Sequence, residues 1–321
     1  MTLALKKKMA AQSIPTPAQG PFEPTVADVL VTKAMLRKAF DLPQEIVDSI
    51  IDYAEYWPHT TTQVDYPNDS LVARGSSGPE NIFLIRSPPL GFHRWNRVSR
   101  GDTSVRYPRP QPPGQEFSVN DFQELLASPI SLLAHPCRRI VFTIRSHDQG
   151  WGGGWGDQGT FNRSWTWFEA GLERWCRPGS SEASTASGEP SQQPGQGRPS
   201  LKVDDLCTVY PEVEWQPETQ TYAINHELLP REDYKVQCNV TAQSQTQTHR
   251  VVWSYTDDIN PERDADAVNR LADLGRGKAT GNGKFVRELK LGDVVTLWAK
   301  ARFPGWANHV ESVKMDIYYA V

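Results

Sequence analysis

A chain of 321 residues with a formal net charge of −4 is long enough for one large or two ordinary domains and carries no global basic field, which argues against nucleic acid as a partner. Apolar residues make up 38% of it, beside 25 prolines and 23 glycines, so long loops dilute a real core. No stretch approaches the 18 or so apolar residues of a spanning helix, which argues against a membrane partner.

The four cysteines, Cys137, Cys176, Cys207 and Cys238, form no C-x-x-C pair, so a zinc knuckle is not supported. The opening MTLALKKKMAAQ lacks the apolar run of an export signal. The chain reads as intracellular and reduced, cytoplasmic or nuclear, with no metal or cofactor implied. The sequons at Asn68, Asn162 and Asn239 carry no weight in such a chain.

Residues 1–24, rich in Pro, Ala and Gln, read as a disordered tail. Thr25 can cap a short helix through Leu30 and Leu36. Leu42-Pro43 opens a second helix, with Pro43 in its first turn and Glu45 near the positive end of the dipole. Ile46, Ile50, Ala54 and Trp57 repeat at helical spacing, Val47 and Ile51 widen the stripe, and Pro58 stops it.

Residues 60–80 are polar, and NIFLIRSPP (81–89) reads as a short buried strand. A basic, proline-rich stretch over 92–117 leads to a helix capped by Ser118 and bent at Pro129. CRRIVFTIRS (137–146) alternates as a strand does, and SWTWFEAGL (164–172) has period 2. Residues 177–200 contain no large apolar side chain and read as a flexible insert. Strands recur at QTYAINHEL, YKVQCNVTA and HRVVWSYT, a short helix is expected within 257–284, and GRGKATGNGK (275–284) reads as a hairpin end. DVVTLWAKARF and VESVKMDIYYAV close the chain, with Val313, Met315, Ile317, Tyr319 and Val321 alternating. Strands without regular intervening helices predict a mainly β protein: an antiparallel jelly-roll-type β-sandwich over 80–321 with a short N-terminal helical segment.

Five of the eleven tryptophans lie between Trp151 and Trp175. The segment SHDQGWGGGWGDQGTFNRSWTWFEAG (146–171) holds four of them among seven glycines. One reading is a binding rim, in which Trp151 and Trp155 stack on a sugar or cap a peptide while Asp148, Gln149, Asp157 and Gln158 supply polar contacts. The other is a structural plug at the sandwich end. The later RFPGWANHV (302–310) repeats the pattern of strand, Gly-Trp turn and amide. Pro304-Gly305 is a type II turn signal; one reading has Arg302, Trp306 and Asn308 complete the same rim, the other has Asn308 and His309 simply bond the loop backbone. Trp165 and Trp167, two apart on a strand, are expected in the core. Asp148 and Asp157 as glycosidase carboxylates make a weaker pattern, and no nucleophile, zinc or phosphate-loop motif is present.

LPQEIVDSIIDYAEYW resembles the opening of F-box-like segments, whose Leu-Pro and acidic residue start a helix that docks on the Skp-type adaptor of a cullin ubiquitin ligase. The resemblance makes 25–58 an F-box-like segment with Leu42, Pro43, Ile46 and Ile50 as the docking residues. The blocks SHDQGWGG…SWTWFE and ARFPGWANHVESV…IYYAV resemble those of uncharacterised fungal F-box-like proteins. More distantly, the alternation and Gly-Trp turns are similar to galactose-binding-like jelly rolls, among them the F-box-associated sugar-binding domain. These resemblances imply a non-catalytic recognition protein, a substrate receptor with a protein or glycan ligand. The alternative is a carbohydrate-active enzyme or its accessory binding module.

Overall fold

The computed structural model describes residues 22–66, 71–92, 103–111, 114–126, 134–177, 201 and 203–321. Most of the expected tail, the body of the expected insert and the stretch around Pro129 lie outside these residues.

Helix α1 spans Val26–Phe40, opened by a Thr25–Asp28 capping box in which each side chain bonds the other's backbone N–H. Helix α2 spans Gln44–Tyr53 with Pro43 at its N-cap. The strands follow: β1 (His59–Asp65), β2 (Leu71–Arg74), β3 (Asn81–Arg86), β4 (Gln115–Glu116), β5 (Cys137–His147), β6 (Thr166–Arg177), β7 (Leu206–Tyr210), β8 (Val213–Gln216), β9 (Thr221–Ile224), β10 (Lys235–Cys238) and β11 (Gln247–Ser254). Two short helices, α3 (Ala267–Asp273) and α4 (Lys284–Glu288), precede β12 (Val294–Ala301) and β13 (Ala307–Tyr319).

One sheet has the order β1-β13-β5-β11, with β2 extending the β1 edge along β13. The other has the order β10-β6-β12-β3, with β7 and β4 added at the far end of β6. All these pairings are antiparallel. Following the chain through β1, β3, β5, β6, β10, β11, β12 and β13 gives the strand order of a jelly roll, two interleaved Greek keys in two sheets. The mainly β sandwich with a helical N-terminal segment is therefore the fold.

Period-2 alternation decides which side chains fill the space between the sheets. Ile140, Phe142 and Ile144 of β5 and Val313, Met315 and Ile317 of β13 meet Phe168 and Ala170 of β6 and Val295, Leu297 and Ala299 of β12. The opposite face of the second sheet is also buried, because a third layer covers it. Tyr107 and His226 pack edge-on to Trp298, and Arg302 donates to the Glu227 carbonyl at 2.7 Å. This face carries charge in matched pairs. Glu169 accepts from Lys300 at 2.6 Å and from the Trp167 indole at 2.9 Å, and Glu173 binds Arg86 through two bonds. Each ion has a partner in the low-dielectric layer, which its burial requires.

Several expectations are corrected here. The sandwich begins at residue 59 and not at 80, because the polar run 60–80 supplies β1 and β2. They are legible as polar because they form a sheet edge in which only Thr62 and Ala73 are buried. Of the helix expected after Ser118, the described residues 118–126 contain a 3-10 turn, Val119–Phe122, held by a Ser118–Asp121 capping box, and the part around Pro129 lies outside the described residues. The glycine-rich 275–284 run is the turn between α3 and α4, not a hairpin end. Trp57 lies beyond the end of α2, which stops at Tyr53, and is buried.

The helical pair is seated on the sandwich. Val29 and Ile51 join the main core. Asp52 accepts from Arg138 at 2.6 Å, the Trp57 indole at 2.9 Å and the Tyr255 hydroxyl at 3.0 Å. These partners sit at the start of β5 and just past the end of β11, so the helices occupy one end of the sandwich.

Candidate functional site

In this topology the connections β2–β3, β5–β6, β10–β11 and β12–β13 all emerge at the end opposite the helices. That is why two Gly-Trp turns distant in sequence meet. The Gly75 N–H bonds the Trp306 carbonyl at 3.0 Å, and the Gly159 N–H bonds the Thr241 carbonyl at 2.9 Å. The expected type II turn is present: Gly305 has φ +90° and the Trp306 N–H bonds the Phe303 carbonyl at 3.3 Å.

The two turns pack reciprocally. A Cβ on Gly305 would lie 2.7 Å from the Trp151 ring, and one on Gly152 would lie 3.7 Å from the Trp306 ring. Each indole thus rests where the other turn has no side chain. Gln149 clasps them together: its amide nitrogen donates to the Trp151 carbonyl and its oxygen accepts from Ala307 N–H at 3.1 Å.

Beneath the aromatics lies a layer of buried polar side chains. Asp148 accepts from the backbone of Gly150 (2.7 Å), Ala242 (2.6 Å) and Gln243 (2.8 Å). Desolvation outweighs these bonds and raises its carboxyl above the ordinary range. Asn308 donates to the Trp167 and Lys300 carbonyls and accepts from Asn239, which in turn accepts from Ser146 at 2.7 Å. Arg302 donates to Asn81 and to the carbonyls of Glu80, Ala301 and Glu227, with its guanidinium over the Trp167 ring. Asp148, Arg302 and Asn308 are therefore corrected as ligand contacts. They are buried and hold the loops in place, because the N–H and C=O groups of tightly packed loops need partners inside the protein. Asp148, expected also as one of two glycosidase carboxylates with Asp157, is among these buried groups, both of its oxygens accepting from backbone N–H groups.

Asp157 is half-buried and accepts from Gly154 N–H at 2.8 Å, so it too braces the loop. Gln158 is exposed. The indoles of Trp151 and Trp155 are 62% and 99% exposed, and Trp306 is half-buried. Trp167 is fully buried, as expected of a core residue, but Trp165 is not. It precedes β6, is half-buried, and packs edge-on to Phe303 at 4.7 Å. Phe303 (37% exposed) and Arg163 were not legible as rim members. Phe303 adjoins the Pro304-Gly305 turn, and its positive φ of 66° tips it outward, which no sequence period reports. Asn239 heads a sequon but is buried in the polar layer.

At the other end, Val47, Asp48 and Ile51 of α2 face the sandwich, while Ile46 (48%), Ile50 (40%) and Tyr53 point out. Pro43 is exposed and Leu42 half-buried. Val31, Met35 and Phe40 of α1 add to this apolar exposure. Among the described residues no three His, Cys, Asp or Glu side chains gather as a metal site, and no helix is long and apolar enough to cross a membrane.

Compared with known proteins, the chain matches no family model, no curated protein and no solved structure.

Proposed function

We propose that this is a non-catalytic recognition protein with two working ends, a ligand-reading rim at the Gly-Trp turns and a partner-docking helical pair opposite. The observation that carries the reading is the exposure of Trp151 and Trp155 on a loop whose every buried polar side chain is spent on bracing it. An indole held out on a rigid loop presents an apolar face and a polar edge at small entropic cost, which suits stacking on a sugar ring or capping a protein segment. Trp306 and Phe303 extend the platform. The chemistry offered is recognition and not turnover, since the rim's carboxylates are occupied by backbone.

The docking half rests on Leu42, Pro43, Ile46 and Ile50, whose outward apolar face fits a helix-in-groove contact. With the F-box-like resemblance, this makes a Skp-type adaptor the proposed partner and the protein a substrate receptor of a cullin ubiquitin ligase. Two measurements test the halves separately. Binding of the full chain to a purified Skp-type adaptor is expected for the wild type and lost in an Ile46→Asp/Ile50→Asp variant. Retention of a glycan or glycoprotein on an array is expected to depend on Trp151 and Trp155. An adaptor that fails to bind the wild type removes the receptor reading and leaves the rim to stand alone.

A further inference from the structure

The charged side chains of the four rim loops, together with Arg74 at the end of β2, divide by sign. Every acid is engaged within the protein. Asp148 is buried on three backbone N–H groups, and Glu80 accepts from Ser76 N–H at 2.7 Å and faces the buried Arg302 at 3.9 Å. The Asp157 carboxylate is 14% exposed and already holds Gly154 N–H. The charges that reach solvent are both positive. Arg163 is 76% exposed beside Trp155: its Nη1 would lie 3.8 Å from a Cβ on Gly154, the residue before that indole. Asp157 stands 3.7 Å from the same nitrogen, too far for a hydrogen bond, so it steers the guanidinium and leaves the N–H donors to solvent or a ligand. The backbone holds Arg163 at φ +50°, a left-handed conformation that is uncommon outside glycine and recurs at ligand sites. Arg74 is exposed on the other flank. It pairs with Ala307, next to Trp306, and lays its stem along Gly78, where a Cβ would stand 3.4 Å from its own. No carboxylate pairs with it among the described residues.

We propose, resting on the rim reading above, that the ligand is an acidic glycan: a sugar unit whose apolar ring face stacks on Trp155 and whose carboxylate or sulfate is taken by Arg163, with Arg74 meeting a further acidic group along the chain. A planar guanidinium matches the paired oxygens of such a group, and two exposed cations whose neighbouring acids are already engaged favour anionic over neutral chains. A sugar carries in one ring what the rim is equipped to hold. It has a flat C–H face for the indole, an anion for the arginine, and hydroxyls for the exposed Gln158, Ser244 and Gln245. Ser244 reaches the rim because its Cβ packs on Gly150. An aspartate or glutamate side chain of a protein has the charge without the ring face.

The test probes the full chain on a glycan array carrying uronate, sialate, sulfated and neutral glycans, with polyglutamate as an acidic chain that lacks sugar. Anionic glycans should be retained, with neutral glycans and polyglutamate at background, and the retained set separates carboxylate from sulfate. Arg74→Gln with Arg163→Gln, shown to be folded by circular dichroism, should weaken retention by about tenfold or more. Arg163→Lys keeps the charge without the fork and should restore only part of it. Arg37→Gln removes the same charge from α1 at the opposite end and should change nothing. Wild-type retention should also fall as sodium chloride rises from about 50 to about 300 mM. Neutral glycans retained as well as anionic ones, polyglutamate retained equally, or Arg37→Gln as damaging as the rim pair would each overturn the acidic-glycan inference and leave the rim reading standing. No glycan retained by the wild type would overturn both.

Discussion

Truncating the tryptophans one at a time should sort them by a wide margin in stability. Trp167 is 0% exposed, and it donates to Glu169 at 2.9 Å and lies under Arg302. Trp167→Ala leaves a cavity and removes one of the carboxylate's donors, so it should cost about 3–5 kcal/mol. Trp151 is 62% exposed; burying the remaining third or so of an indole of about 250 Å² at about 25 cal/mol per Å² sets a ceiling of about 2 kcal/mol. Trp155 is 99% exposed, and Trp155→Ala should fall within about 0.5 kcal/mol of the parent. Urea unfolding followed by far-UV circular dichroism is the assay, since the amide signal is insensitive to which indole is removed. The ordering fails if Trp155→Ala costs as much as Trp167→Ala, or if Trp167→Ala costs under about 1 kcal/mol. Either result would mean that the buried and displayed aromatics have been exchanged.

Other perturbations test the remaining parts. Asp148→Ala strands three backbone N–H groups in a part-buried site and should destabilise by about 3 kcal/mol or more, read by chemical unfolding; a loss below about 1 kcal/mol would show that water replaces the carboxylate. Ile46→Asp with Ile50→Asp should leave the unfolding midpoint nearly unchanged while removing adaptor binding, and a sharp drop in midpoint would make these side chains core. Stability should also fall on acidification below about pH 6.5. His226 is lowered to about 3 by burial and then by Lys300 and Arg302, and burial lowers His249 and His309 as well. A depressed folded pKa means that the unfolded chain binds protons first. The stability is present above the unfolded value and lost as pH falls, by about 2 kcal/mol at pH 5 for each histidine that stays neutral in the fold. Unfolding free energies at pH 7.5 and 5 check this, and a His226→Gln variant should show a smaller difference; a flat profile refutes it.

Much of the sandwich was legible in the sequence because its strands have one face in the core. Val313, Met315 and Ile317 alternate with polar neighbours, and Ile140, Phe142 and Ile144 of β5 alternate with Val141, Thr143 and Arg145. Strands β1 and β2 were not legible, since an edge that buries little beyond Thr62 and Ala73 has no apolar period to read. Strand β12 is buried along its whole length. Its Trp298 and Lys300 face a third layer whose covering segments come from residues near 107 and 226, a relation no local pattern encodes. At the rim, glycine beside tryptophan correctly placed Trp151 and Trp155 on a loop. The polar residues between them were the harder part. Asp148 and Arg302 look like ligand contacts in sequence because their partners, Gln243 and Glu227, lie 95 and 75 residues away. A buried side chain bracing a loop and an exposed one awaiting a ligand carry the same letter.

The central claim is that the Gly-Trp end reads a ligand. A glycan and glycoprotein array probed with the full chain and with a Trp151→Ala/Trp155→Ala variant shown to be folded by circular dichroism tests it most directly. The account predicts a defined set of retained ligands for the wild type and at least a tenfold loss on that set for the variant, since two stacking contacts contribute more than about 1.4 kcal/mol together. Equal retention of the same ligands by both proteins would contradict it, and the two indoles would then be ornaments on a structural plug.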